Sequence, residues 1–157
     1  NGDGMSDTTT NEGEAAAPTG PTIGFAQQYV KDFSFESPQS PKVFMSQMSQ
    51  PDVNVDFNVA AEPVENNIHE VVLDIEVKAT LNDETMFIAE LSYAGLVQVT
   101  NAVDDILNQI LMIEAPRHLF PFARAILAEA IRDGGFPPLL LNPIDFQGYY
   151  RQTHQDG

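Results

Sequence analysis

The chain has 157 residues, with 23 acidic against 7 basic, a formal charge of −16 at pH 7. That length suits one domain plus a tail, and 43% apolar residues suffice for a packed core. The charge argues against nucleic acid, which needs clustered Lys and Arg to displace counterions, and against an anionic membrane surface.

A basic partner or plain solubility both explain such acidity, and composition does not choose between them. Zero cysteines exclude disulfides, thiolate metal sites and cysteine nucleophiles. This agrees with a reducing, cytoplasmic setting. No stretch approaches the roughly 18 apolar residues of a membrane helix, and no basic-then-apolar leader is visible, so stable membrane insertion is not expected.

Residues 1–22 read as a disordered acidic tail, with four acids, no base and no apolar period. Met5 is expected to be the native start, residues 1–4 being a cloning remnant. Residues 23–157 are expected to form the domain. Ile23 to Phe35 reads as a strand with a bulge, because its period-two pattern is clean only at Phe33 and Phe35. Pro38 and Pro41 then take the chain out of the sheet.

Val53 to Val59 alternates without a fault, which predicts a half-buried strand, and Glu62 to Asn67 reads as a polar turn. A long hairpin follows. Val71, Leu73, Ile75, Val77 and Ala79 share one face, Val72, Asp74, Glu76 and Lys78 the other. Asn82-Asp83-Glu84 turns the chain, and Met86 to Val99 returns. Gly95 signals a bulge or a close approach of another backbone.

The period then changes. Asn101 is expected to cap a helix carrying Asp104 and Asp105 in its first turn and an apolar stripe at Val103, Ile106, Leu107, Ile110 and Leu111. Pro116 is expected to end it. A second helix is expected from Leu119 to Ile131, with Pro121 in its first turn and Gly134-Gly135 at its end. Leu139 to Pro143 reads as an apolar connector, and Asp145 as the cap of a weak last helix. Strands followed by helices indicate an α+β fold: a four-stranded antiparallel sheet with a long helix on one face and a weaker C-terminal helix.

A catalytic constellation is not visible. His69, His118 and His154 have no metal-ligand spacing, and no phosphate loop, G-x-S-x-G or H-E-x-x-H motif occurs. Neither a catalytic residue, a metal nor a cofactor is expected. A small acidic enzyme or ligand-binding domain, with a site assembled only in three dimensions, stays open as the alternative.

Charge is unevenly placed. Residues 32–90 carry a net −10 and residues 114–151 balance at zero. The alternation puts the sheet's acids on its outward face, where a solvated surface and a docking face are both consistent. Apolar side chains exceed what one helix layer covers, because Met86 to Val99 is apolar on both faces. A filled core or an interface accounts for that surplus.

Several blocks resemble one family. Lys31-Asp32-Phe33-Ser34-Phe35-Glu36-Ser37-Pro38, then Pro41 and Val43-Phe44, look like the N-terminal signature of the SecB export chaperones. Glu70 to Leu73, Glu84-Thr85 before Phe87, Leu119 to Arg124, Gly135 to Leu139 and Leu141 to Phe146 follow in order. The resemblance implies a homotetramer, a dimer of dimers, that holds unfolded preproteins without ATP and delivers them to the motor ATPase SecA. It implies that Asp32, Glu36, Ile88 and Glu90 contact SecA. It implies that Phe87, Ala89, Leu91 and Tyr93 face the subunit interface and client side. Val53, Val55 and Phe57, covered by Phe136 to Leu141 and Tyr149, would form the client groove. Two departures stand out: Met45-Ser46-Gln47-Met48 where relatives often carry a tryptophan, and a terminal helix that contains Gly148 and ends early at Gly157.

Overall fold

The structure, a computed structural model, describes residues 20–45 and 49–154. The expected tail through residue 19, the substituted loop at 46–48 and the terminal residues 155–157 lie outside them. Four strands, β1 (Thr22–Glu36), β2 (Asp52–Glu65), β3 (Ile68–Leu81) and β4 (Glu84–Thr100), pair antiparallel in the order β1-β4-β3-β2. The α+β expectation holds.

The alternation of β3 became its two faces. Val71, Leu73, Ile75, Val77 and Ala79 are buried, while the residues between them are half-exposed. The β3–β4 turn is only Asn82-Asp83, with φ of 51° and 62°, the left-handed pair that a two-residue hairpin requires. β1 carries two register shifts, between Phe25 and Gln27 and between Val30 and Asp32, which explains its blurred period. β2 runs further than expected, through Pro63 to Glu65. An edge strand tolerates proline, and the register slips just after it.

The helices needed correction. α1 (Asp104–Gln109), a π-helical turn (Ile110–Glu114) and α2 (Ala115–Asp133) join into one helix of 30 residues. Pro116 does not end it, and Pro121 sits in its interior. A proline inside a helix costs about 3 kcal/mol. Widening the turn just before Pro116 makes room for its ring. Ile110, Leu111, Ile113, Leu119, Phe120, Ala123, Leu127 and Ile131 are buried along this run, and each large side chain contributes about 1.5–3 kcal/mol by leaving water. Burial outweighs the lost hydrogen bonds.

Asn101 is not the cap. It takes a left-handed φ of 60°, and Val103 precedes the first helical residue without a side-chain cap. Gly95 is a point of close approach, since a Cβ there would lie 3.0 Å from Leu119 Cδ2. The long helix therefore packs on the inner face of β4 without a spacer. α3 (Phe146–His154) begins as expected, with the Gly148 N–H donating to Asp145 Oδ1 at 3.0 Å.

Candidate binding groove and acidic face

The sheet is wider than the helix that covers it. On the β2 side, Val53, Val55 and Phe57 lie on the inner face, opposite Ala79, Val77 and Ile75 of β3. Unlike those partners, Val53 and Val55 are each 39% exposed. The connector after the long helix runs past them and turns into α3. Together they enclose a cavity of about 630 Å³ lined by Val53, Val55, Phe57, Leu141, Ile144 and Tyr149. A second cavity of about 460 Å³ lies beyond it, lined by Leu81, Met86, Phe87, Phe136 and Pro137. Val53 and Leu139 belong to both, so the two form one trough.

Aromatic contacts hold its walls. Phe57 packs against Phe146 at 5.7 Å and against Tyr149 at 4.9 Å between ring centres. The Tyr149 hydroxyl donates to Asn58 Oδ1 at 3.0 Å, tying α3 to the margin of β2. At the other end Phe136 packs against Phe87 at 4.9 Å and Phe44 at 5.4 Å. Gly135, at φ 96°, ends the helix there, and a Cβ on it would meet the Phe44 ring at 2.8 Å.

Of the ten residues assigned to the client side, the structure brings together Val53, Val55, Phe57, Phe136, Leu141 and Tyr149, with Phe87 on the floor of the second cavity. Ala89, Leu91 and Tyr93 lie elsewhere. They are 0%, 2% and 7% exposed, in the core the sheet shares with the chain's own long helix. Period two correctly placed them on one face, but their own helix occupies it. The exposed apolar surface on the β1 side is instead Ile23, Val30, Phe33 and Phe122. There His118 stacks on Phe25 at 3.9 Å, and its Nε2 lies 3.0 Å from the Gln28 amide, which in turn accepts from the Tyr93 hydroxyl. Leu81, Met86 and Ile144 were not anticipated in the trough, because nothing local shows which distant segments will face each other.

The opposite face of the sheet is acidic. Cross-strand register aligns Ser34, Glu90, Glu76 and Asp56 in one row, with Asp32, Ser92, Asp74 and Asn58 beside it. Glu36, Ile88, Lys78 and Asn54 form the next. All four residues assigned to the motor contact thus lie on this face of β1 and β4. Asp32, Asp56, Asp74, Glu76 and Glu90 line a shallow depression of about 390 Å³, in which the Ser92 hydroxyl donates to Asp74. Asp56, Asp74 and Glu76 were missing from the expected set, since strand order is not written in any one strand.

An ion pair, Lys31 with Glu70, anchors this face. Glu70 accepts from the Tyr29 hydroxyl at 2.5 Å and from Lys31 Nζ at 2.9 Å, across β4. The Tyr29 hydrogen bond, then Lys31, hold the Glu70 carboxyl below the usual carboxylate range. Burial, then Glu70 itself, push the Tyr29 hydroxyl up to about 12. Among the described residues no cluster of three His or carboxylate side chains stands in metal-holding geometry, and no helix is long and apolar enough to cross a membrane.

Residues 16–157 match the family model described as preprotein translocase subunit SecB. The chain belongs to the SecB family. It is similar to the protein-export protein SecB of Afipia carboxidovorans, 49% identical over 95% of this chain and 91% of that one. SecB of Sphingopyxis alaskensis is 51% identical over 87% and 79%. Among solved structures, the fold resembles the Mycobacterium tuberculosis Rv1957 SecB-like chaperone, solved with a ChAD peptide from the Rv1956 HigA1 antitoxin. That match has a TM-score of 0.65 at 12% identity, covering 78% of this chain and 90% of the other. Membership makes this chain a protein-export chaperone.

Proposed function

We propose that the trough beside β2 holds unfolded segments of secretory precursors and that the acidic face of β1 and β4 docks the SecA motor. The observation that carries this reading is the convergence of Val53, Val55, Phe57, Leu141 and Tyr149 around one open apolar trough. An unfolded chain exposes apolar side chains, and burying them contributes about 25 cal/mol per Å² whatever the sequence. Such binding needs no nucleotide and no catalytic residue, so the protein works as a holdase rather than an enzyme.

The outer face supports the second half. Asp56, Glu76 and Glu90 sit directly across from one another, an arrangement that destabilises a sheet. A cationic partner offsets that repulsion and is drawn in at long range. Asp32, Glu36, Ile88 and Glu90 form the contact, with one apolar side chain among the acids. The β1-side patch of Ile23, Val30, Phe33 and Phe122 is the surface available to a second subunit, and burying it in a dimer of dimers builds the homotetramer. The setting is the cytoplasm, where precursors are still unfolded.

Size-exclusion with light scattering, run beside an aggregation assay on an unfolded preprotein, tests the reading. A tetramer that suppresses aggregation without ATP is expected. A monomer that leaves aggregation unchanged would contradict it.

A further inference from the structure

β1 meets the long helix in a cluster of aromatic and polar side chains centred on His118. The His118 ring stacks on Phe25 of β1 with centroids 3.9 Å apart, and it lies 5.9 Å from Phe122, one turn further along its own helix. Its Nε2 is 3.0 Å from the Gln28 side-chain nitrogen. The Gln28 carbonyl oxygen accepts from the Tyr93 hydroxyl at 3.2 Å.

Hydrogen-bond direction fixes the protonation state of this relay. Tyr93 is 7% exposed, so its hydroxyl needs an acceptor inside the protein, and Gln28 Oε1 supplies it. That turns the Gln28 N–H groups toward His118. Nε2 must therefore accept, which only the neutral imidazole with its proton on Nδ1 can do. A proton on Nε2 sets donor against donor. Turning the amide over restores the bond to His118 but leaves the Tyr93 O–H facing an N–H, so only the neutral arrangement satisfies every member. The charged ring still stacks on Phe25, which keeps it in place.

The surroundings do little to favour the charged ring. From β1 it faces Phe25 and Gln28, and from β4 the relay brings Tyr93, none of them carrying a charge. Glu114 lies one turn earlier on its own helix, but Arg117 holds that carboxylate at 3.2 Å. Lys31 of β1 is drawn to Glu70 on the outer face. The relay also flanks exposed apolar surface. Phe122, 49% exposed, packs against both the His118 and Tyr93 rings. Ile23 lies two residues before Phe25 on β1, and Val30 two residues after Gln28.

We propose that His118 is a proton-operated catch on subunit assembly. Neutral, it holds β1 and Phe122 in the shape on which a second copy of the chain packs. Protonated, it releases them and the subunits part. This rests on the β1-side patch being the subunit surface. Imidazoles in general take up a proton near about pH 6.5 and carboxylates near about pH 4, so mild acid operates the catch while the acidic faces stay charged. Assembly is intact above that range and weakens as pH falls through it. Protonating carboxylates would do the reverse, by relieving repulsion between acidic subunits.

Sedimentation velocity of the full chain at about pH 7.5 and at about pH 6 provides the test. The subunit dissociation constant of the parent chain should rise about tenfold on acidification. His118→Phe keeps the stack and has no proton to gain, so its constant should be the same at both values, with circular dichroism reporting that it folds. Gln28→Glu keeps an acceptor for Tyr93 and offers a second oxygen to the protonated ring. It should reverse the response, assembling more tightly in acid, and it carries the test by itself where His118→Phe does not fold. His69 and His154 are present in all three chains, so differences among them report on His118 alone. A parent constant that ignores pH would overturn the proposal, as would the parent's response persisting in His118→Phe or in Gln28→Glu. A parent chain that is monomeric even at the higher pH, or a Phe122→Asp variant that assembles like the parent there, would instead sink the subunit reading on which the proposal rests.

Discussion

The same four strands present two surfaces governed by different physics. On the inner face near β2, Val53, Val55 and Phe57 stand where the helix does not reach, and the trough attracts by removing apolar area from water. On the outer face, Asp32, Asp56, Asp74, Glu76 and Glu90 act through charge, at longer range and at the mercy of salt. On the proposed reading, a pleat that alternates in and out separates a holding surface from a steering surface by one strand's thickness. Changing one should leave the other working.

The largest expected effect is on the trough. Val55→Asp places a carboxylate among apolar side chains at a half-exposed site, so the protein should still fold. Affinity for an unfolded preprotein, measured by calorimetry, should drop about thirtyfold, or about 2 kcal/mol, at every salt concentration. SecA affinity should stay unchanged. Glu90→Lys is the reciprocal test. It should weaken SecA binding by about 1–2 kcal/mol at low salt, with the difference shrinking toward high salt, while light scattering reports the same mass as for the parent chain. Equal affinity of Glu90→Lys and the parent chain at low salt would remove the outer face from the motor contact.

Smaller effects concern the supports of the two faces. Tyr29→Phe deletes the hydrogen bond to Glu70 and should cost about 1 kcal/mol in urea unfolding at neutral pH. The pH dependence has a definite sign. Glu70 is held below its ordinary value in the folded chain, so its contribution is present above the unfolded carboxylate pKa and fades as pH falls through the lower folded one. Tyr29, pushed up to about 12, adds a loss of stability as pH rises from about 10 toward 12. Tyr29→Phe should flatten both limbs. Smallest of all, Asp145→Ala removes the cap of α3 at a cost of about 0.5 kcal/mol, read as faster amide exchange at Gly148.

Much of this was legible before the structure. Unbroken alternation in Val53–Val59 and Val71–Ala79 predicted strands and faces, because period two leaves no other way to bury one side. Asp32, Glu36, Asp56, Asp74, Glu76 and Glu90 fell on the outer face for the same reason. Pro116 misled, since local chemistry says stop while the buried stripe from Ile110 to Ile131 says continue, and only packing decides. Ala89, Leu91 and Tyr93 were on the right face with the wrong neighbour, because a strand does not reveal what will cover it. The row Glu90, Glu76 and Asp56 needed the order β1-β4-β3-β2, a property of no single segment.

The central claim is that clients lie in the trough beside β2 and not on the acidic face. A photoreactive benzoylphenylalanine in place of Val55, compared with one in place of Glu76, tests it most directly against an unfolded precursor. If clients lie in the trough, position 55 crosslinks to the precursor and position 76 gives nothing above background. A crosslink from position 76 alone would contradict it.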